Sequence, residues 1–249
     1  MKLKKHLGQH ILVASGVITR ILEFINPEDG DVLVEIGPGT GNLTLEVLKH
    51  PFKELHLIEI DKDMVLKLKE RIKDERVRIH MEDAVGFDFC SLGSSLKVFG
   101  NLPYCVASLI LENTVFHNAC VREAVYMLQK EVAEKLQKGT SWLSTFVNTF
   151  YRLEYLMSLP ARFFVPPPKV QSGLVKLSRR ENPPEVDLKD YKKFLTSLYA
   201  TRRKALKNKL PLDILTLLDI DPMLRVEALK PEEVFLIYNK VKKFRGEQR

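Results

Sequence analysis

The chain has 249 residues, 45% hydrophobic and 29% charged, which is enough for one α/β core plus a small extra domain and too apolar for a disordered polymer. No run approaches the roughly 20 uninterrupted apolar residues of a membrane span, and the basic, polar stretch Met1 to Gln9 has no apolar segment behind it, so neither a membrane helix nor a signal peptide is expected. The net charge of +7 sits on the flanks: residues 1–20 hold Lys2, Lys4, Lys5 and Arg20 with no acid, and residues 181–249 hold 15 Lys or Arg against 11 Asp or Glu. Such flanks suit a polyanion contacted from both ends, and also a merely soluble surface.

In chain order, Leu12, Ile18, Ile21, Leu22 and Ile25 share one face and predict a helix over 12–26. Pro27 to Gly30 is a turn, and Asp31 to Ile36 is a buried-strand run entering Gly37-Pro38-Gly39-Thr40-Gly41. A helix is expected from about Asn42 to His50, a strand over Leu55–Ile60, an amphipathic helix over Met64–Lys73 and a strand over Val77–Met81. Leu96–Gly100 predicts a further strand ending at Asn101-Leu102-Pro103-Tyr104. Helices are expected over Ala107–Val115 and Glu131–Gln137, with a strand over Ala124–Leu128 between them. Phe150–Leu159 and Gly173–Ser178 are two late strands without a crossover helix between them, so an antiparallel edge is expected. The alternation implies βαβ units around a mainly parallel sheet covered on both faces. Glu181 to Glu185 (ENPPE) is a linker, and the remainder is expected to be helical, with a strongly basic helix over Tyr191–Lys209 and another over Pro231–Phe244. The expected domains are therefore 1–180 and 181–249.

The glycines of 37–41 allow a tight turn and close approach of the backbone to a ligand. Their spacing is G-x-G-x-G, not the G-x-G-x-x-G of a dinucleotide pyrophosphate site. Glu59 ends the next strand, where a carboxylate accepts from both hydroxyls of a ribose. Asp83 follows the third strand, in position to accept from an adenine amine. A lone acid is more often a cap or a solvated loop residue, but three strand ends in register with a glycine turn form a nucleoside site at the carboxyl edge of the sheet. Adenine N6 is a poor nucleophile, because its lone pair is delocalised into the ring. An Asn101 side-chain oxygen and a main-chain carbonyl near Pro103 would accept both N6 hydrogens and favour the charge that develops on methylation. Tyr104 offers a flat face to an extruded base. Taken alone, the four residues are a plain turn.

Cys90, Cys105 and Cys120 are few and widely spaced, and free thiols in a reducing cytoplasm are expected; no Cys or His spacing suggests a metal. Trp142, Met127 and Phe146 are expected in the core. His6, His50, His56, His80 and His117 show no pairing that suggests catalysis.

With these motifs in view, the chain resembles the small-subunit ribosomal RNA adenine dimethyltransferase family, the dimethyladenosine transferases, over essentially its whole length. Lys4 to Leu12 (KKHLGQHIL) resembles the family's N-terminal cofactor-lid motif, the Gly37 turn, Glu59, Asp83 and Asn101–Tyr104 its cofactor and catalytic motifs, Phe164 to Ser172 (FVPPPKVQS) its late motif, and Arg202 to Leu210 its C-terminal basic helix. The resemblance implies an S-adenosylmethionine-dependent enzyme with a Rossmann-like methyltransferase sheet, a late antiparallel strand and a small helical domain that binds RNA or ribosome. It implies a cofactor site of His10, Leu12, Gly37, Gly39, Glu59, Asp83 and Asn101, and an adenine held by Asn101, Pro103, Tyr104 and Phe164. The implied reaction is dimethylation of two adjacent adenosines near the 3′ end of small-subunit RNA. The implied partner is the immature 30S subunit, and the implied protein is a cytoplasmic monomer without membrane contact. Three positions depart from the pattern: His10 for Asn, with Ile11 for an aromatic; Cys105 for Asn; and Gln171 for Asp, expected on the surface. The competing readings are a large-subunit adenine methyltransferase of the resistance type, a non-catalytic assembly factor on the same fold, and a Rossmann dehydrogenase.

Overall fold

The computed structural model describes residues 10–246, and side chains as far as Phe244. The Lys4–Gln9 part of the lid motif, and His6, lie outside the described residues. Contacts divide the chain into two compact units, one built from residues up to Glu134 with Arg152–Arg179, the other from Lys135–Tyr151 with the chain from Arg180 onward. The division therefore differs from the expected 1–180 and 181–249. The segment 135–151 joins the second unit because Phe146 and Phe150 pack their rings on the fully buried Tyr191.

The first unit carries a seven-stranded sheet. Its strands are β2 (Val32–Ile36), β3 (Glu54–Ile58), β4 (Val77–His80), β5 (Leu96–Asn101), β6 (Val121–Gln129), β7 (Tyr151–Leu159) and β9 (Ser172–Arg179). The order is β4-β3-β2-β5-β6-β9-β7. The first five are parallel, and β9 runs antiparallel to β6. Leu33, Val34, Leu55, Leu57, Leu96, Val98 and Phe99 are all at most 1% exposed, the two-sided burial expected of parallel strands beneath helices. The order reverses between β2 and β5, so their carboxyl ends open a crevice at a topological switch point.

Helices α1 (Ser15–Ile25), α2 (Asn42–Val47), α3 (Lys62–Arg71), α4 (Ala107–Phe116) and α5 (Lys130–Lys138) link these strands. Helix α1 buries Ile18, Ile21, Leu22 and Ile25 against β-strand residues Leu33, Leu55 and Phe99. It begins later than expected, because Leu12 belongs to a two-residue strand, β1 (Ile11–Leu12), paired antiparallel with β8 (Phe164–Val165). Leu12 is buried like the helix residues, which is why it fits their periodicity.

The expectation of three free thiols is overturned: Cys90 and Cys120 form a disulfide, and only Cys105 among them is free. Thirty residues apart in sequence, they meet because α4 returns the chain to the start of β6, beside the 3-10 turn Phe89–Leu92.

The second unit holds α6 (Trp142–Phe150), α7 (Leu188–Ala200), α8 (Leu212–Leu217) and α9 (Pro231–Gly246), and Tyr191 of α7 packs on rings of α6 and α9. The expected helix over 191–209 stops at Ala200. Beyond it the amides of Leu206 and Lys207 donate to the carbonyls of Leu224 and Pro222 instead of to the preceding turn, and buried Leu206 and Leu210 pull the segment inward. Arg202 to Leu210 is thus a tight turn with a short 3-10 segment, Leu206–Asn208, and not a basic helix. Phe146 and Met127 are buried and Trp142 is half-buried. Among the described residues, no helix is long and apolar enough to cross a membrane.

Candidate active site

One cavity opens at the carboxyl edge of the parallel strands, and His10, Leu12, Gly37, Gly39, Glu59, Asp83, Asn101 and Pro103 all line it. Its floor is set by the carboxyl ends of the neighbouring parallel strands β2 and β5. Gly37 donates its amide to Ile58 O at 2.9 Å, and a Cβ on Gly37 would lie 3.8 Å from Asn101 O. The glycine turn and the Asn101 turn are therefore neighbours. Gly39, at φ 56, lies in the left-handed region that disfavours side chains. There its amide reaches Glu59 Oε2 at 3.1 Å.

Glu59 is 5% exposed. Its Oε1 accepts from the Asp61 amide at 2.9 Å, so each oxygen holds one main-chain donor and keeps further lone pairs for a ligand. Burial raises its pKa, and the bonds from Asp61 and Gly39 oppose that rise. Asp83 is exposed and caps its own turn, with Oδ1 accepting from Val85 N at 2.9 Å, which leaves Oδ2 toward solvent or ligand. Asn113 in α4 fixes this loop through amide bonds to Ala84 O and Phe87 O.

Asn101 Nδ2 donates to the His10 carbonyl at 2.5 Å. With the nitrogen engaged, Oδ1 is the atom left to accept a hydrogen bond. The Pro103 carbonyl accepts from Val106 N at 3.1 Å and retains one lone pair. Tyr104 is half-buried, its hydroxyl 2.6 Å from the buried Ser172 Oγ, and burial raises its pKa. It stays a neutral phenol with a positioned ring.

Tyr104 and Phe164 do not line the cavity. Phe164 is 1% exposed and lies in the core with Leu12, its partner in the β1–β8 pair, so its ring has no free face in this structure. Gln171 is exposed, as expected from sequence, and Cys105 is exposed and lines the cavity.

Several contributors had no signal in the sequence. Glu35 lines the cavity, accepts from Thr44 Oγ1 at 2.6 Å, and is pushed by burial up to about 8, with Glu59 adding to the rise. Asn42 donates to Leu12 O at 2.9 Å and so ties β1 to the glycine turn. Ser172 orients Tyr104. Gly100 has no room for a side chain, since a Cβ would sit 2.3 Å from Ile36 O. Outside the cavity, His56 Nδ1 and His80 Nε2 lie 3.0 Å apart, a histidine pair that inspection of the sequence did not bring together. Burial lowers the pKa of both, and His80 lowers that of His56 further. Among the described residues, no cluster of three or more metal-ligating side chains forms.

Comparison with known proteins gives a consistent picture. The family model described as ribosomal RNA adenine dimethylase matches residues 1–243. A protein of Persephonella marina named Ribosomal RNA small subunit methyltransferase A is 42% identical, the match covering 95% of this chain and 92% of the relative. One of the same name from a Sulfurihydrogenibium species is 40% identical over 97% of both chains. The crystal structure of a dimethyladenosine transferase from Plasmodium falciparum shares the fold, with a TM-score of 0.83, 24% identity, and coverage of 94% of this chain and 98% of that one.

Proposed function

Because this chain belongs to the ribosomal RNA adenine dimethylase family, we propose that its cavity holds S-adenosylmethionine and that Asn101 presents adenine N6 for two successive methylations in small-subunit ribosomal RNA. The cavity suits such a cofactor: Glu59 offers paired carboxylate oxygens to a diol, Asp83 offers one oxygen to an amine, and Ile36, Ile58 and Ile110 give apolar walls. Bound there, the cofactor supplies an electrophilic methyl group, and the protein supplies orientation. Gly37 and Gly39 allow main chain to close on it without side-chain obstruction.

The observation that carries the reading is the orientation of the Asn101 amide. Its nitrogen is bonded to His10 O, so Oδ1 faces the amine as an acceptor, joined by the free lone pair at the Pro103 turn. Two acceptors aimed at N6 stabilise the positive charge that builds there during transfer. Tyr104 stacks the base. Phe164 acts as its second face once the β1–β8 pair yields the ring, and as a buried anchor of that loop otherwise. The residues from 181 onward bind RNA or the immature 30S subunit, and the protein works in the cytoplasm as a monomer on the two adjacent adenosines near the 3′ end.

Mass spectrometry of small-subunit RNA incubated with protein and S-adenosylmethionine tests the proposal. Two adjacent dimethyladenosines are expected, against none in large-subunit RNA. Asn101→Ala is expected to lower kcat by about 100-fold to 1,000-fold, the scale for loss of one aimed hydrogen bond, with RNA binding retained. Equal activity in that variant refutes the catalytic assignment.

A further inference from the structure

His10 stands where the resemblance to the family leads one to expect Asn, and the same resemblance places it with the cofactor. Its side chain does something else. Nδ1 lies 2.8 Å from the carbonyl oxygen of Pro166. A carbonyl only accepts, so Nδ1 carries the hydrogen. The ring also lies beside Tyr104, centroids 5.6 Å apart and planes tilted by 32°. The main-chain oxygen of the same residue receives Asn101 Nδ2. One residue thus touches the loop after Phe164, the stacking tyrosine and the amide that faces the reacting amine.

We propose that His10 is a positioning residue for adenine, acting through Asn101: its imidazole latches the start of β1 to Pro166 and thereby holds the carbonyl that sets which end of the Asn101 amide faces N6. The assignment rests on the adenine-methylating reading of the site. The physical chain is short. β1 has two residues, and its pairing fixes Ile11 on Val165 and Leu12 on Phe164. Val13 N adds a bond to Phe163 O, and Asn42 holds Leu12 O. Among the described residues these ties lie after His10, and the bond from its own ring to the Pro166 carbonyl is the tie at His10 itself. Without that tie the carbonyl loses its fixed place, and the Asn101 amide is free to turn. A turned amide presents N–H groups to N6–H groups, which removes an acceptor and sets donor against donor. Tyr104 is held at its hydroxyl by Ser172 and along its ring by His10, so the same loss loosens the stacking plate.

Three variants separate the parts. His10→Ala removes both donor and ring. His10→Asn places an amide nitrogen where Nδ1 stands, keeping the donor and losing the ring. His10→Phe keeps the ring and loses the donor. On full-length protein with small-subunit RNA, His10→Ala is expected to lower kcat by roughly tenfold to a hundredfold, the scale for an ångström-sized misplacement. The Kd for S-adenosylmethionine, measured by calorimetry, is expected to rise by far less than kcat falls, because what turns is the end of the Asn101 side chain at N6, while Glu59, Asp83 and the glycine turn keep their places in the cavity. His10→Asn recovers most of the loss and His10→Phe does not.

The side-chain amide resonance of Asn101 in 15N–1H spectra, assigned by its absence in Asn101→Ala, gives a readout independent of turnover. It is expected at a shifted, hydrogen-bonded position in wild type and His10→Asn, and to collapse toward free amide in His10→Ala and His10→Phe. A His10→Ala protein with weakened cofactor binding and full kcat at saturation overturns the assignment in favour of a cofactor ligand. Rescue by Phe and not by Asn overturns the latch. A wild type that leaves RNA adenines unmethylated, while the Asn101 signal still follows His10, overturns the functional reading and the catalytic meaning of the latch with it.

Discussion

Glu35 and Gly100 carry the tightest local constraints on the site. Glu35 sits in β2 one residue before Ile36, and burial holds its proton up to about pH 8 against an ordinary value of 4.5. Between those values the folded chain binds more protons than the unfolded one. The stabilisation from this group is therefore complete below about pH 4.5 and is lost as pH rises through about 8, with a slope of at most about 1.4 kcal/mol per pH unit. Glu35→Gln keeps a neutral side chain of the same shape and removes the proton. Calorimetric melts of both proteins between pH 5 and 8 should diverge, with wild type losing stability faster as pH rises; parallel curves would contradict a protonated Glu35. Gly100 pairs with Ile36 across β2 and β5, and its missing Cβ leaves space for the Ile36 carbonyl. Gly100→Ala forces the two strands apart where Gly37 begins. Overpacking of this kind costs about 1–3 kcal/mol, and cofactor affinity should fall with it, as denaturant titration and calorimetry would show. Neither residue stood out in the sequence: a Glu inside a strand run and a Gly before Asn101 acquire meaning only from what lies across the sheet.

Element by element, the disulfide has the largest consequence. Cys90–Cys120 closes a loop with a sequence separation of 30 residues, spanning β5 and α4. In the chain-entropy picture such a closure stabilises by about 3–4 kcal/mol. Cys90→Ser, or a reductant, should lower the urea-unfolding free energy by that amount, while Asn113 keeps the Asp83 loop docked through its two bonds; unfolding that ignores reductant would show the bond is not formed in solution. The sequence could not announce the bridge, because pairing depends on where α4 returns the chain. Repeating apolar patterns did mark β2 to β6 and α1, α3 and α4, since each buries a continuous face. Helix α6 escaped because it is buried nearly all round with polar Ser144, Thr145 and Thr149 inside, which blurs its apolar pattern, and because it flows into β7 without a turn residue. The segment 202–210 looked helical because its charges and leucines suit a helix, yet its amides are claimed by the carbonyls of 222 and 224, partners far along the chain. The site was legible wherever a motif sits at a strand's carboxyl end, as at Gly37, Glu59, Asp83 and Asn101, and illegible wherever a residue acts from a distant segment, as Asn42, Ser172 and the side chain of His10 do.

For the molecule as a whole the remaining issue is how a chain of net charge +7 engages RNA. Arg202, Arg203, Lys204 and Lys207 are exposed on the 201–208 turn, and the Arg202–Glu227 pair at 3.7 Å is open to solvent and weak. Folded as a turn and not as a helix, these cations project from a compact bend whose backbone is fixed by Leu206, so a phosphate contact costs little further ordering. Each phosphate contact releases condensed counterions, and for single strands each contributes about 0.7 to the slope of log affinity against log salt. Replacing all four by Ala should therefore reduce that slope by about 3 for small-subunit RNA. It should leave S-adenosylmethionine affinity unchanged, because the cavity residues are untouched. Filter binding across a salt series measures the first and calorimetry the second. A slope that does not move means the turn serves solubility alone and that RNA is gripped elsewhere, whereas a cofactor affinity that falls would mean the substitutions had disturbed folding and not a phosphate contact.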